Sequence, residues 1–365
     1  MKITKEGLVT LYLPDSRKEV FYNPDMELSR DISVAFLQAL GLKNPAVCDL
    51  LSAAGARAVR YAKETDAVKV FANDASEDAV GYIKKNVSAN KVDRKVTASR
   101  SGANAFLSSH KKQFDLIDID PFGSPVYFLD ELAKCARPDS YLGVTATDCG
   151  ALSGIFPKTC SERYGIALER TECFKEIGVR NLIGVVASKL EKEKLFIIPL
   201  LSHATEHYIR IFLKIVSDGK NLSDYFYHCK KCNYCTFEKK GRCVHDIAKL
   251  GPIWAGGLHD KVLCFKILDK LKQPYFKKSG DARRMLLNIT SESEEPFYYN
   301  IHKISERLSK NTPPVGDIVR QLRKSGLSAT RTQFNDTSIK TDAMPEDIEK
   351  VIRILDKPRS QKPAE

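Results

Sequence analysis

The sequence has 365 residues, of which 43% are hydrophobic, so it is long enough for two domains and can bury a sizeable core. It contains no apolar run long enough to span a bilayer and no signal-peptide core at its start, so we expect a soluble cytoplasmic protein without membrane attachment. The net charge is +12, and residues 261–365 carry 21 Lys and Arg against 14 Asp and Glu. That surplus suits a polyanion such as RNA, DNA or an acidic membrane, although a well-solvated surface would show it too.

The first 45 residues are interpreted as an accessory element. LVTLYL at residues 8–13 is a candidate strand, FYNP is typical of a turn, and SRDISVAFLQAL at residues 29–40 has helical spacing of its apolar positions.

Residues 46–200 alternate short apolar runs with stretches of helical pattern. The predicted strands are residues 46–51, 68–74, 95–99, 114–120, 141–148 and 181–188. Strands separated by helices of this length predict an α/β fold with a mostly parallel sheet covered on both faces. In such folds ligands bind at the carboxyl ends of the strands.

The first predicted strand of this region ends at Asp49 and enters a turn of small residues at 52–56, which lets the backbone approach a ligand closely. Asp74 ends the second strand, where an acidic residue commonly binds both hydroxyls of a ribose. The alternative is that Asp74 caps the helix that begins near Ser76. Together with the small-residue turn, Asp74 favours nucleoside binding.

The sequence has no P-loop, so it offers no cradle for a triphosphate. We therefore expect a dinucleotide or a nucleoside without a phosphate chain, and S-adenosylmethionine fits the second description. Arg30 and Arg57 are candidates to neutralise its carboxylate, although either arginine alone is also typical of a surface salt bridge.

The fourth predicted strand runs into Asp120-Pro121-Phe122. Amino-directed methyltransferases carry a similar Asp-Pro-Pro-aromatic motif at this position. An exocyclic amine is a poor nucleophile because its lone pair is conjugated with the ring, and two acceptors on its N–H groups would localise that lone pair. Asp120 and the Pro121 carbonyl are the candidate acceptors, and Phe122 would stack on a flipped base. The alternative is an ordinary Pro/Gly turn with an Asp cap.

Four cysteines, Cys229, Cys232, Cys235 and Cys243, lie within fifteen residues and are spaced C-x2-C-x2-C-x7-C. Thiolates spaced in this way predict a structural zinc site, with His245 as the alternative fourth ligand. An iron–sulfur cluster or four unligated thiols are the other interpretations.

Residues 201–356 form the predicted basic carboxyl-terminal domain, with residues 229–243 as a cysteine-rich insert. The segment 301–326 predicts a helix, a Pro-marked turn and a second helix, in an order similar to that of a winged-helix module. The tail 357–365 is predicted to be disordered.

The chain resembles the archaeal and eukaryotic tRNA (guanine(26)-N2)-dimethyltransferases over nearly its whole length. The matching segments are FYNPDMELSRDIS, DLLSAAGARAVRYAKE, FANDASEDA, IDIDPFGSPVYFLD, GVTATDCGALSG, GPIWAGGL and ATRTQFNDTSIKT. The resemblance implies a class I methyltransferase fold, Rossmann-like with a mostly parallel sheet, followed by a carboxyl-terminal α+β RNA-binding domain. It also implies an enzyme that uses S-adenosylmethionine, binds tRNA, needs no obligate protein partner and dimethylates the N2 amine of guanine 26.

The same resemblance implies cofactor contacts from Arg30, Arg57 and Asp74, a further contact near Gly102-Ala103, and Asp120 as the catalytic carboxylate. Relatives carry an acidic residue where Gly102 stands, so the Ala103 backbone or the Asn104 side chain would have to replace its contact with the adenine. Two other functions stay open at this point. One is an N6-adenine methyltransferase of RNA or DNA, and the other is a non-catalytic tRNA-binding protein on the same scaffold.

Overall fold

The computed structural model describes residues 1–15, 20–239 and 243–356, so the predicted disordered tail 357–365 lies outside the described residues. Internal contacts divide the chain into two compact units, each built from three segments. Unit 1 contains residues 1–149, 182–222 and 257–290, and unit 2 contains residues 150–181, 223–256 and those from 291 onward. The functional boundaries at residues 45, 200 and 356 do not follow this division and stay predictions.

The strands, in chain order, are β1 (Lys2–Glu6), β2 (Val9–Leu13), β3 (Ala46–Asp49), β4 (Lys69–Asp74), β5 (Val96–Arg100), β6 (Leu116–Ile119), β7 (Tyr141–Ala146), β8 (Phe196–Thr205), β9 (Tyr208–Val216), β10 (Ser223–His228), β11 (Cys235–Thr236), β12 (Ala248–Trp254), β13 (Tyr299–Asn300), β14 (Ala329–Arg331) and β15 (Ser338–Thr341). The helices are α1 (Glu27–Leu40), α2 (Ala56–Glu64), α3 (Glu77–Ala89), α4 (Ala103–Ser109), α5 (Leu129–Cys135), α6 (Cys149–Leu152), α7 (Pro157–Tyr164), α8 (Phe174–Glu191), α9 (Lys261–Lys270), α10 (Ser279–Ser291), α11 (Ile301–Arg307), α12 (Val315–Lys324) and α13 (Pro345–Leu355).

Unit 1 is organised around a seven-stranded sheet in the order β5-β4-β3-β6-β7-β9-β8. Strands β3 to β7 are parallel to one another. Strand β9 pairs with β7 in antiparallel orientation, and β8 pairs with β9, also antiparallel. The mostly parallel α/β sheet predicted from the sequence is therefore confirmed. The chain moves outward from β3 to β5 and then restarts on the other side of β3 with β6, so the strand order reverses between β3 and β6. A crevice at the carboxyl ends of the strands is expected there.

One predicted strand is wrong. Residues 181–188 lie inside α8, an 18-residue helix, and not in the sheet. Nearly all of this segment is buried, so its sequence shows no polar face. A short continuous apolar sequence is found in buried strands and in buried helices alike, and its periodicity does not distinguish them. The antiparallel strands β8 and β9 occupy the sheet positions that follow β7.

The predicted amino-terminal strand and helix are confirmed as β2 and α1. The β1–β2 hairpin is joined to the α/β body by buried charges, because Glu6 accepts hydrogen bonds from Arg30 Nε at 2.6 Å and from Arg60 Nη1 at 2.9 Å. Burial opposes ionisation of Glu6, but the charges of Arg30 and Arg60 outweigh it and lower its pKa to about 2.

Unit 2 contains two three-stranded sheets, ordered β11-β10-β12 and β13-β15-β14. Its core includes buried residues of α11, α12 and α13, among them Ile304, Ile318 and Ile348. Helices α11 and α12 confirm the predicted helix–turn–helix, and the antiparallel pair β14–β15 follows them. Across the described part of the chain, no helix combines the length and apolar character needed to cross a membrane.

Candidate active site

A cavity of about 410 Å³ opens at the carboxyl ends of β3, β4 and β6, where the strand order reverses. Its lining belongs entirely to unit 1 and includes the turn after β3, the ends of β4 and β6, and residues 21–23 of the amino-terminal element. Pockets of this size are typical of small-ligand sites. The residues predicted from the sequence as cofactor and catalytic groups can therefore be located against this cavity.

The small-residue turn after β3 lies against the cavity, as predicted. Gly55, the residue before α2, has a φ of +78°, and a Cβ there would stand 3.1 Å from the Ile83 side chain. Glycine therefore suits this position, both because of the left-handed backbone and because α3 approaches closely. Ala53 also lines the cavity, and its N–H donates to Asp74 Oδ2 at 2.9 Å.

Asp74 lines the cavity and at the same time orders two backbone segments. Its Oδ2 accepts from Ala53, and its Oδ1 accepts from the Ser76 N–H at 2.9 Å. The helix cap itself is Ser76, whose Oγ accepts from the Ala79 N–H. Asp74 is therefore not the N-cap residue of α3, and its position in the cavity is consistent with nucleoside binding.

Arg30 and Arg57 both line the cavity, and both are already engaged by carboxylates. Arg30 makes a two-pronged contact with Glu6, in which its Nη2 donates to Oε2 at 2.7 Å. Arg57 is 4% exposed and donates to Ser33 Oγ at 2.6 Å and to Asp120 Oδ2. A connection between Arg57 and the candidate catalytic carboxylate is not foreseen by the sequence analysis.

The Asp120-Pro121-Phe122 motif follows β6 directly, and all three residues line the cavity. Phe122 is 73% exposed and meets the edge of Phe21 with ring centroids 4.4 Å apart. The next residue, Gly123, has a φ of +74° and is fixed by two hydrogen bonds with Thr147, which follows β7. The loop is thereby anchored to the neighbouring strand.

Asp118 lies two residues before Asp120 and is the main site-related residue that the sequence analysis misses. It is fully buried and accepts from Arg210 Nη1 at 2.9 Å and from the Tyr61 hydroxyl at 2.7 Å. Burial opposes its ionisation, but the charges of Arg210 and Arg57 outweigh burial and hold the pKa of Asp118 below its usual range. The i, i+2 spacing of the two aspartates was the available signal, because alternate residues of a strand share a face.

Asp49, at the end of β3, also lines the cavity. Its carboxylate accepts from the Ala58 N–H at 3.1 Å in the first turns of α2. Burial raises its pKa to about 7, with the Arg57 charge acting in the opposite direction. Asp49 is thus a carboxyl group in the cavity that changes charge near neutral pH.

Gly102 and Ala103 are not among the residues that line the cavity. They begin α4 after β5, and a Cβ at Gly102 would meet nothing within 4 Å. The Asn104 amide, the candidate substitute for the missing acidic side chain, donates to the Tyr127 carbonyl at 3.1 Å. The predicted contact of this segment with the cofactor stays a prediction.

The cysteine cluster brings together a group of side chains that differs at one position from the ligand set expected from the sequence. Within the described residues, Cys229, Cys232, Cys243 and His245 place one ligand atom each within 4.8 Å of one another. Cys235 is not part of this group, and its Sγ lies 3.6 Å from that of Cys173. Backbone hydrogen bonds between residue 229 and residues 233 and 234 close a tight turn before Cys235. Cys235 is the first residue of β11. His245, the alternative fourth ligand, lies in this group, and the metal ligands themselves stay a prediction.

A family model described as N2,N2-dimethylguanosine tRNA methyltransferase matches residues 2–353. A tRNA (guanine(26)-N(2))-dimethyltransferase from Methanobrevibacter smithii is 35% identical, and the match covers 97% of this chain and 98% of that protein. The enzyme of the same description from Thermococcus kodakarensis is 36% identical, with 93% and 95% covered.

Among solved structures, the chain is similar to the complex of Trm1 from Pyrococcus horikoshii with S-adenosyl-L-methionine. The TM-score is 0.89 and the identity 34%, and the match covers 96% of this chain and 100% of the other. Agreement in sequence and fold over nearly the full length leads to one conclusion. The chain belongs to the N2,N2-dimethylguanosine tRNA methyltransferase family.

Proposed function

We propose that this protein transfers methyl groups from S-adenosylmethionine to the N2 amine of guanine 26 in tRNA, in two successive steps. Family membership supports the reaction and the substrate. The observation that carries the assignment of residues is that Asp120 shares one cavity with Asp74 and with the small-residue turn after β3. The groups suited to hold an amine and those suited to hold a nucleoside cofactor therefore face the same space.

The cavity fits S-adenosylmethionine in size and chemistry. Each oxygen of Asp74 accepts one backbone hydrogen bond, and a carboxylate oxygen has a second acceptor site that a ribose hydroxyl can use. The closely approaching backbone around Ala53 suits a nucleoside, and Asp49 and Asp120 supply negative charge for a cationic ligand. When bound, the cofactor supplies an electrophilic methyl group, so the work left to the protein is mainly positioning.

Asp120 is assigned to the amine. Arg57 binds its Oδ2, and Oδ1 makes no hydrogen bond to any other described residue. Oδ1 would accept one N–H of the guanine N2 amine while the Pro121 carbonyl accepts the other. The bound cofactor would supply the methyl group and keep the electrons of its S–C bond as a neutral thioether, so that the N–C bond gained by the amine balances the S–C bond lost. The extra proton on N2 passes to Asp120 and from there to solvent.

The second transfer uses the same groups. N2-methylguanine retains one N–H, which Asp120 can still accept, while the first methyl takes the direction that the Pro121 carbonyl held before. Phe122 is exposed enough to stack on the flipped guanine, a contact worth about 1–3 kcal/mol.

A structural Zn²⁺ in unit 2 is part of the proposal. Four ligands at about 2.0–2.3 Å from zinc stand roughly 3.5–3.8 Å apart. The Cys232 and Cys243 sulfurs are 3.5 Å apart, and His245 Nδ1 lies 3.6 Å from Cys229 and 3.4 Å from Cys243. Three thiolates and one imidazole leave no open coordination position, which suits a role in folding rather than in chemistry.

The proposed tRNA contact of unit 2 lies on α12. Val315, Ile318 and Leu322 bury one face of this helix. The opposite face borders an open groove with Arg320, Arg323 and Lys324. A row of cations on an exposed helix face matches the phosphate backbone of RNA.

Replacing Asp120 with alanine tests the central assignment. Methyl transfer should fall by at least about 100-fold, because positioned acid–base groups contribute roughly that much or more, while tRNA affinity stays within about twofold. Nucleoside mass spectrometry of tRNA incubated with labelled cofactor measures both the rate and the product. Asp269→Ala, at an exposed carboxylate on α9 of the same unit, is the control and should keep wild-type activity.

Wild-type rates for Asp120→Ala would refute the role of this carboxylate. N6-methyladenosine as the main product would refute guanine as the target, and tRNA binding without any methylated product would show a non-catalytic protein.

A further inference from the structure

We propose that Asp118 is a positioning residue for methyl transfer, which acts through Arg57 to hold Asp120, and that Gly143 is a glycine because any side chain there would displace this assembly. The inference rests on the proposed role of Asp120. It adds two buried charged residues, Asp118 and Arg210, that are not among the residues lining the cavity.

Asp118 is held by side chains from two elements, β9 and α2. Arg210 of β9 grips both its oxygens, with Nη1–Oδ1 at 2.9 Å and Nη2–Oδ2 at 2.5 Å, and the Tyr61 hydroxyl of α2 donates to Oδ2 at 2.7 Å. None of the three side chains is exposed to solvent. A two-pronged arginine contact with a further donor fixes the plane of a carboxylate, not only its position.

Arg57 extends this order to the cavity. Its Nε lies 3.7 Å from Asp118 Oδ1, its Nη1 donates to Ser33 Oγ, and its Nη2 donates to Asp120 Oδ2. Ser33 is shared, because Arg210 Nη2 also donates to its Oγ at 3.2 Å. These contacts fix the orientation of the Arg57 guanidinium. The orientation determines that Arg57 binds Oδ2 of Asp120 and leaves Oδ1 for the amine.

The charges in this assembly balance. Two guanidinium groups, of Arg57 and Arg210, face two carboxylates, of Asp118 and Asp120. Buried ion pairs of this kind are weak contributors to stability, since apolar residues of similar volume often replace them without loss. Stability alone therefore does not explain why these charges are buried. Orienting the carboxylate of Asp120 does explain it.

Gly143 lies on β7, between β6, which carries Asp118, and β9, which carries Arg210. A Cβ at Gly143 would stand 2.6 Å from Arg210 Nη2 and 3.1 Å from Asp118 Oδ2. Its backbone conformation is not the left-handed one, so alanine is sterically acceptable to the chain itself. The glycine is explained by the ion pair that crosses the strand.

This geometry allows a test that removes no charge. Gly143→Ala should push the Arg210–Asp118 pair aside, and kcat at saturating cofactor and tRNA should fall by about tenfold or more, since misplacement near 1 Å can cost about 100-fold. KM for tRNA should stay within about twofold. Tyr61→Phe, which removes one donor to Asp118, should lower kcat by a smaller factor in the same direction.

The matched control is Glu176→Gln in unit 2. Glu176 is also a fully buried carboxylate with two cationic partners, Arg180 at 2.8 Å and Lys340 at 3.4 Å, but it has no link to Asp120. Its kcat should equal that of the wild type once both are assayed well below their Tm. In an Asp120→Asn background, Gly143→Ala should cause no further loss, because residues that act as a unit are not additive.

An unchanged kcat for folded Gly143→Ala, an equal loss in Glu176→Gln, or a full additional loss in the Asp120→Asn background would each overturn the inference. These outcomes are distinct from failure of the proposed function, which appears as activity retained by Asp120→Ala. If Gly143→Ala does not fold, Tyr61→Phe carries the same test.

Discussion

Asp49 and Asp118 are both fully buried carboxyl groups of unit 1, yet their surroundings shift them in opposite directions. Burial dominates at Asp49 and raises its pKa to about 7, whereas at Asp118 the charges of Arg210 and Arg57 outweigh burial and keep the pKa low. Asp118 is therefore a permanent charge behind the cavity, and Asp49 is a titrating one that lines it.

Cofactor binding should consequently depend on pH. S-adenosylmethionine carries a positive sulfonium, which favours ionised Asp49, so binding should release a proton and affinity should fall as the pH drops below 7. The fall should approach tenfold per pH unit, the limit for one proton. Calorimetry in two buffers of different ionisation enthalpy at pH 6.5 measures the released proton directly.

Asp49→Asn serves as the control for this prediction, because an amide oxygen can still accept the Ala58 N–H. The variant should bind more weakly at pH 8 and show a flatter pH dependence. Equal proton release by the variant and the wild type would contradict the role of Asp49.

Sequence reasoning at this scale identifies single residues better than their partners. Asp74 and Asp120 line the cavity as expected. The pairing of Arg57 with Asp120, and of Arg210 with Asp118 across 92 positions, depends on how strands align in space. No local spacing carries that information, so Arg210 could not be found from the sequence.

At the scale of elements, the turn that contains Cys229 and Cys232 determines which of the neighbouring cysteines lie in the candidate metal-binding group. Asn233 has a φ of +60° and turns the chain back after Cys232. Cys235 then enters β11, which pairs with β10, and its sulfur lies 3.6 Å from that of Cys173. The even spacing of three cysteines suggests equivalent ligands. The turn makes them inequivalent, and His245 completes the group instead.

The protein should contain one zinc ion per chain by elemental analysis, and removing a ligand should abolish it. Cys243→Ser should lose the metal and lower the Tm, because a structural metal contributes its binding free energy to folding. Cys235→Ala should retain one zinc per chain and is the matched control. Loss of zinc from Cys235→Ala, or its retention by Cys243→Ser, would show that the ligand set is different.

At the scale of the whole molecule, the amino-acid pattern was sufficient for strands β3 to β7 and for the fold class. It was insufficient for α8, whose apolar run at residues 181–188 has no polar face to reveal a helical period. It was also insufficient for β8 and β9, since nothing local indicates that a later hairpin adds antiparallel strands to a parallel sheet.

The proposed tRNA contact on α12 predicts a salt effect on tRNA binding. Arg320→Gln with Lys324→Gln should weaken binding and reduce the slope of log affinity against log salt by about 1 per lost phosphate contact. The rate at saturating tRNA should be unchanged. Lys266→Gln with Lys272→Gln makes the same charge change at two exposed positions of unit 1, one on α9 and one in the turn after it, and should leave the slope unchanged.

An unchanged slope for the α12 pair would place the phosphate contacts elsewhere. If both pairs of substitutions reduced the salt slope equally, tRNA affinity would depend on the net charge of the protein and not on a defined surface of α12.

The interleaving of the two units has a consequence for synthesis on the ribosome. The chain passes between them five times, at residues 150, 182, 223, 257 and 291. Chains emerge amino-terminus first at about 5–20 residues per second, and domains generally fold as they are completed. All strands of the unit 1 sheet have been synthesised once residue 216 has emerged. The last segment of unit 1, however, ends only at residue 290. Neither unit corresponds to a contiguous gene fragment, so an isolated half of the coding sequence would yield an incomplete nascent chain rather than an independent module.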